Sequence, residues 1–148
     1  MKYRTKFKKG FWKTKEYLHI VKLMQKEYSD ILEIEEIGRS YYQNPIYVIS
    51  FKLNSSSSGI LFTGLHHARE PISVSMNLYI LFKILYELKM KNKDYEELVN
   101  SRNIYFIPLI NMDGYENNVI YYESLGGNDF GYARKNRRNG IEFSECDM

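Results

Sequence analysis

The stretch Ile60-Leu61-Phe62-Thr63-Gly64-Leu65-His66-His67-Ala68-Arg69-Glu70-Pro71 decides the reading of this chain, because an apolar run passes directly into a cluster of ionisable residues and then into a proline. Residues 60–64 are short, β-branched and aromatic, which predicts a strand. Pro71 suits the first turn of a helix, and residues 72–90, with Leu78, Leu81, Phe82, Leu85 and Leu88, predict a helix apolar on most sides and buried against a sheet. Two His, one Arg and one Glu therefore crowd a single strand-to-helix junction, and strand ends are where open α/β sheets gather their sites. His67 and Glu70 are spaced to point at a common atom across a tight turn, offering an imidazole nitrogen and a carboxylate oxygen, both good zinc donors. Catalytic zinc commonly takes two His and one carboxylate and keeps a fourth position for water, so two of three ligands stand here. His66 faces away from His67 if the strand continues and reads as structural or solvent-facing, as does His19 within a predicted helix.

Outward from this junction, Tyr17, Leu18, Ile20, Val21, Leu23, Met24 and Tyr28 recur at three- and four-residue spacing and predict an amphipathic helix over residues 14–28. Residues 31–37 predict a strand that stops at Gly38, and residues 46–53 predict a second one opened by Pro45. A polar connection over 54–59 then suggests that this second strand forms a hairpin with residues 60–64. Residues 94–100 predict a short helix, and the wholly apolar run 104–110 a strand of the kind found in sheet centres. After Met112 the periodicity dissolves among glycines and asparagines, which predicts a long irregular segment, with Asn111-Met112-Asp113-Gly114 as a turn. Arg134-Lys135-Asn136-Arg137-Arg138 is open, by itself, to three readings: a solvated basic patch, a nucleic-acid contact or an oxyanion loop.

Composition bounds the classes. The 148 residues are 44% hydrophobic and 26% charged, the balance of one globular domain. Lys and Arg number 21 against 18 Asp and Glu, and a net charge of +3 is too small and too dispersed to argue for nucleic acid. The single Cys146 cannot form an internal disulfide. The apolar run 71–82 ends at Lys83, well short of the ~20 residues that span a bilayer. The basic start lacks the apolar block of a secretory signal, so if Met1 is the true start a cytoplasmic location is expected.

Together these residues resemble the zinc metallocarboxypeptidases of the carboxypeptidase A and B type, from about Phe11 to Arg138. Ile37-Gly38-Arg39-Ser40-Tyr41 and Pro45-Ile46-Tyr47-Val48 are similar to the family's opening strand, turn and second strand. Gly64-Leu65-His66-His67-Ala68-Arg69-Glu70 resembles its zinc signature, Asn111-Met112-Asp113-Gly114-Tyr115 its Asn-Pro-Asp-Gly segment, and Arg134-Lys135-Asn136-Arg137 its arginine loop. The resemblance implies an α/β fold, the N-terminal part of a three-layer domain with a mixed sheet flanked by helices, occupying residues 11–148 after a basic extension at 1–10. It implies one zinc ion on His67 and Glu70, a substrate carbonyl held by Arg69, an outer subsite at Arg134, and oxyanion stabilisation by Arg137, whose spacing from Arg134 favours it over Arg138. It further implies peptide or protein C-termini as substrates, and a secreted location as the alternative to a cytoplasmic one.

Two departures stand out. Met112 replaces the family's usual Pro, which loosens a turn without touching chemistry. The family's third zinc ligand is a downstream His, and no His follows Glu70 in this sequence. The family's carboxylate clamp and Glu general base have no counterpart either, since nothing about position favours Glu142 or Glu145. The expected function is therefore a metallocarboxypeptidase represented by its N-terminal portion and inactive alone. The alternative is a non-catalytic peptide- or protein-binding module. An open end of the sheet is expected to expose apolar surface and leave the chain poorly soluble or partner-dependent.

Overall fold

A computed structural model describes residues 10–52, 58–131 and 133–136. The elements run α1 (Thr14–Glu27), β1 (Leu32–Arg39), β2 (Pro45–Phe51), β3 (Gly59–Thr63), α2 (Ile72–Lys89), α3 (Lys93–Ser101), β4 (Asn103–Ile107) and α4 (Met112–Ser124). The four strands form one mixed sheet in the order β1-β2-β4-β3. β1 and β2 are an antiparallel hairpin with an irregularity between Glu36 and Gly38. β2 is antiparallel to β4, while β3 runs parallel to β4. The expected pairing of β2 with residues 60–64 is therefore corrected: β4 lies between them. The reason is the connection, because the buried helix α2 and then α3 carry the chain from β3 back to a parallel neighbour, as a β-α-β crossover must.

Strand register sorts the two faces. Leu32 opposes Phe51, Ile34 opposes Ile49, Ile49 opposes Phe106, and Phe62 and Ile60 pair with Phe106 and Ile104. These apolar residues share one face. There α1 packs on β1 while α2 and α3 cover β3 and β4. Tyr17, Ile20, Val21 and Met24 of α1 join Val74, Leu78, Leu81, Phe82 and Leu85 of α2 in one core, each full burial worth about 1.5–3 kcal/mol. The opposite face presents Glu33, Glu35, Ser50, Tyr105 and Leu61, and Leu61 remains 58% exposed. β3 is an edge of the sheet.

The segment after Met112 is the second correction, since residues 112–124 form α4 rather than an irregular loop. Its Gly114, Asn117 and Asn118 are poor helix formers, so propensity hides it. Tertiary bonds hold it instead. The buried Tyr115 hydroxyl donates to the Trp12 carbonyl at 2.5 Å, and the buried Asn118 amide donates to Ala133 O at 2.9 Å and accepts from Ala133 N at 3.1 Å. Asn111 caps the helix by accepting from Gly114 N at 3.1 Å. Met112, which stands where the resemblance expects Pro, occupies the first helical position, where Pro is at ease, and is fully buried.

Candidate functional site

The junction after β3 is built by backbone constraints. Gly64 has no room for a side chain, since a Cβ there would lie 2.5 Å from Pro108 O. Leu65 takes a positive φ of 51° with its side chain in the core, turning the chain sharply away from the strand direction. Ser73, in the first turn of α2, ties the loop at both ends: its hydroxyl accepts from Leu65 N at 2.8 Å and donates to Glu70 O at 2.8 Å. From sequence alone Ser73 carries no such signal, because a serine after proline at a helix start reads only as local capping.

Across this turn His67 Nδ1 and Glu70 Oε1 lie 2.9 Å apart, with both side chains partly open to solvent at 39% and 50%. The two side chains meet directly, in a hydrogen bond across the turn. A tetrahedral zinc with bonds of about 2.0–2.1 Å holds neighbouring donors roughly 3.3 Å apart, so this pair fits two corners of such a site with a small opening. A third corner is not supplied: among the described residues no three His, Cys, Asp or Glu side chains gather to hold a metal. His66 is engaged elsewhere, its Nε2 lying 3.0 Å from Thr63 Oγ1, and His19 is on the exposed side of α1. A complete three-ligand zinc site thus does not form within the described residues.

The arginine segment lies against this turn. Ala68 N donates to Arg134 O at 3.0 Å. Asn111 Nδ2 donates to both Arg134 O and His66 O, at 3.2 and 3.3 Å, and so joins the His-Ala-Arg-Glu turn, the arginine segment and the start of α4 through one side chain. Contact is close enough that a Cβ on Gly114 would sit 2.7 Å from Lys135 O and 2.8 Å from Ala68 Cβ. Arg69 and Arg134 are both exposed beside the His67–Glu70 pair's loop. Arg137, Arg138, Glu142, Glu145 and Cys146 lie outside the described residues. In the sequence Asn111 reads as a turn residue, and its joining role leaves no sign there beyond an asparagine ahead of Asp-Gly.

A second set of bonds fixes the β1–β2 turn to the same end of α4. Buried Asp113 accepts from Ser40 Oγ at 2.6 Å, Asn44 Nδ2 at 2.9 Å and Tyr42 N at 3.0 Å. No helix among the described residues is long and apolar enough to cross a membrane.

A family model described as zinc carboxypeptidase matches residues 17–144. Carboxypeptidase B2 of Bos taurus is 31% identical over 98 residues, 65% of this chain and 23% of the relative. A zinc carboxypeptidase of Saccharothrix mutabilis subsp. capreolus is 30% identical over 116 residues, 76% of this chain and 25% of the relative. A crystal structure of thrombin-activatable fibrinolysis inhibitor superposes on 91% of this chain with a TM-score of 0.70 and 26% identity, using 31% of its own chain. Carboxypeptidase A from Helicoverpa armigera, at 22% identity, shares the fold with a TM-score of 0.67. The chain spans about a quarter of the length of these curated relatives. By its motifs, its fold and a match over most of its length, the chain belongs to the zinc carboxypeptidase family of peptide hydrolases.

Proposed function

We propose that the chain is the N-terminal portion of a zinc metallocarboxypeptidase, that it contributes two metal ligands and the arginine side of a peptide site, and that it has little or no hydrolytic activity alone. The observation that carries this is the His67–Glu70 pair, 2.9 Å apart on a turn to which the arginine segment is bonded. In this reading His67 and Glu70 bind zinc weakly, because a two-ligand site lacks the closing third donor. When bound in a complete site, zinc supplies Lewis-acid polarisation of a carbonyl and a water that ionises near neutral pH. Arg69 orients a substrate main-chain carbonyl through its fixed fork of donors, and Arg134 holds a residue further out. Arg137 takes the oxyanion role by family resemblance.

The test combines a zinc titration with a peptidase assay on peptides carrying free or amidated C-termini. Expected are weak zinc binding, reduced at least tenfold in both His67→Ala and Glu70→Ala, and no turnover by the unmodified chain. Robust release of C-terminal residues would overturn the inactivity. Zinc binding indifferent to both substitutions would remove the metal site.

A further inference from the structure

Charge is divided unevenly along the chain. Residues 1–26 hold nine Lys or Arg against one Glu, a local charge of +8, while residues 27–148 hold twelve against seventeen Asp or Glu, a charge of −5. The total of +3, which reads as dispersed when taken over the whole chain, is therefore the small difference between two opposed parts. The described portion of the basic part is α1 and the residues just before it. Lys15, His19, Lys22 and Lys26 of this helix are all exposed, and at about 100° per residue they fall within about 60° of arc, in one line about 16 Å long. α1 packs its other side on β1 and α4, so this line forms an outward ridge.

The charge of the ridge is not neutralised by its neighbours. Lys13 is paired with Glu123 at 2.8 Å, but among the described residues Lys15, Lys22 and Lys26 form no ion pair. Glu16 and Glu27, the acidic residues of α1, lie about 90° or more round the helix from the centre of the line, and Glu16 is turned back to accept from Lys13 N at 2.9 Å. Residue chemistry then selects among anionic partners. The line carries Lys and no Arg, hence compact point charges without the planar fork that reads bases. Among the described residues, none of the exposed large apolar side chains belongs to α1, so the ridge offers no ring for a base to stack on. A straight row of lysines on a helix lying flat matches instead a planar field of anionic headgroups, which all of them reach together. Without an exposed apolar residue, α1 rests on such headgroups and does not enter the acyl region.

We infer that the exposed face of α1 docks on the surface of an anionic lipid bilayer, held by Lys15, Lys22 and Lys26 together with the five positive charges of residues 1–9. The acidic remainder of the chain is repelled by the same field, which orients the molecule with α1 toward the lipid. No residue of the candidate site belongs to α1, and the inference stands apart from the peptidase reading.

The experiment is co-sedimentation of the whole chain with vesicles of phosphatidylcholine alone or mixed about 7:3 with phosphatidylserine. Binding is expected to the mixed vesicles only and to weaken as salt is raised. Reversing the line, as Lys15→Glu, Lys22→Glu and Lys26→Glu together, should lower the partition coefficient at least about tenfold, and the corresponding Lys→Gln variant should fall between it and wild type. Lys89→Glu, Lys91→Glu and Lys93→Glu together make the same change of net charge at exposed positions on another part of the surface, and should lower it by less than about twofold. Tm is measured for each variant, and the Gln variant decides the matter if the Glu variant is unfolded. Equal binding to both kinds of vesicle, no binding to either, or equal loss in the line and control variants overturns the docking face. Tighter binding to duplex DNA than to mixed vesicles in the same buffer, lost with the same three lysines, overturns the lipid and assigns the ridge to nucleic acid.

Discussion

Single residues at the junction show how little freedom the site has. Gly114 sits in a helix, where replacing glycine by alanine ordinarily gains about 1 kcal/mol. Here the added Cβ would meet a backbone carbonyl at 2.7 Å and a methyl group at 2.8 Å, and overpacking of that kind costs about 1–3 kcal/mol. Gly114→Ala is therefore expected to lower stability by up to about 2 kcal/mol net in urea unfolding. It should also weaken zinc binding, because the neighbour displaced is Ala68 of the His-Ala-Arg-Glu turn. An unchanged or raised midpoint would show that the arginine segment yields freely. Asn111 is the other residue on which the site turns: its amide is the joint between two loops that carry the candidate ligands and arginines.

At the scale of elements, α1 and α4 pack together and are pinned at the surface by Lys13 Nζ and Glu123 Oε1, 2.8 Å apart. The hydrogen bond from Lys13 lowers the Glu123 carboxyl below the usual carboxylate range, and the same bond raises Lys13 above the usual lysine range. A depressed carboxyl contributes stability that is present above its unfolded pKa and lost as pH falls through the folded value. A raised ammonium contributes stability that is complete below its unfolded pKa and lost as pH rises through the folded value. Glu123→Gln should lower Tm slightly at neutral pH, and the difference from wild type should vanish on the acid side of the carboxylate range and shrink in high salt. A difference that persists at acid pH would assign the effect to something other than this pair. The helices themselves differ in how they are specified. α1 carries its own amphipathic pattern, with Glu16 accepting from Lys13 N at 2.9 Å at its start, whereas α4 depends on Trp12 and Ala133.

For the whole molecule, the helices that line the sheet pack on one face, and the other face and the β3 edge carry apolar residues into solvent. Leu61 and Tyr105 are register neighbours there, and residues 59–63 include neither a charge nor a proline, the usual protections of an edge strand. Self-association is the expected consequence. Sedimentation should find the chain concentration-dependent in size, and Leu61→Lys should shift it toward monomer without lowering Tm by more than about 1 °C, since exposed positions seldom change stability. A wild-type chain monomeric at high concentration would show the edge to be protected.

Much of this fold was legible without coordinates wherever a local signal was strong. The period of α1, the β-branched runs of β1 to β4, Pro71 ahead of α2, and the sequence from Gly64 to Glu70 each state their own structure, because side-chain period and backbone restriction act within a few residues. The convergence of His67 on Glu70 was equally local, a matter of one turn. What the tertiary structure alone decided is non-local: that β4 separates β2 from β3, that α4 exists despite its glycine and asparagines, and that Asn111 gathers the His-Ala-Arg-Glu turn and the arginine segment. None of these follows from propensity, since each is settled by a hydrogen bond or a packing contact between residues tens of positions apart, and only the folded chain brings such partners together.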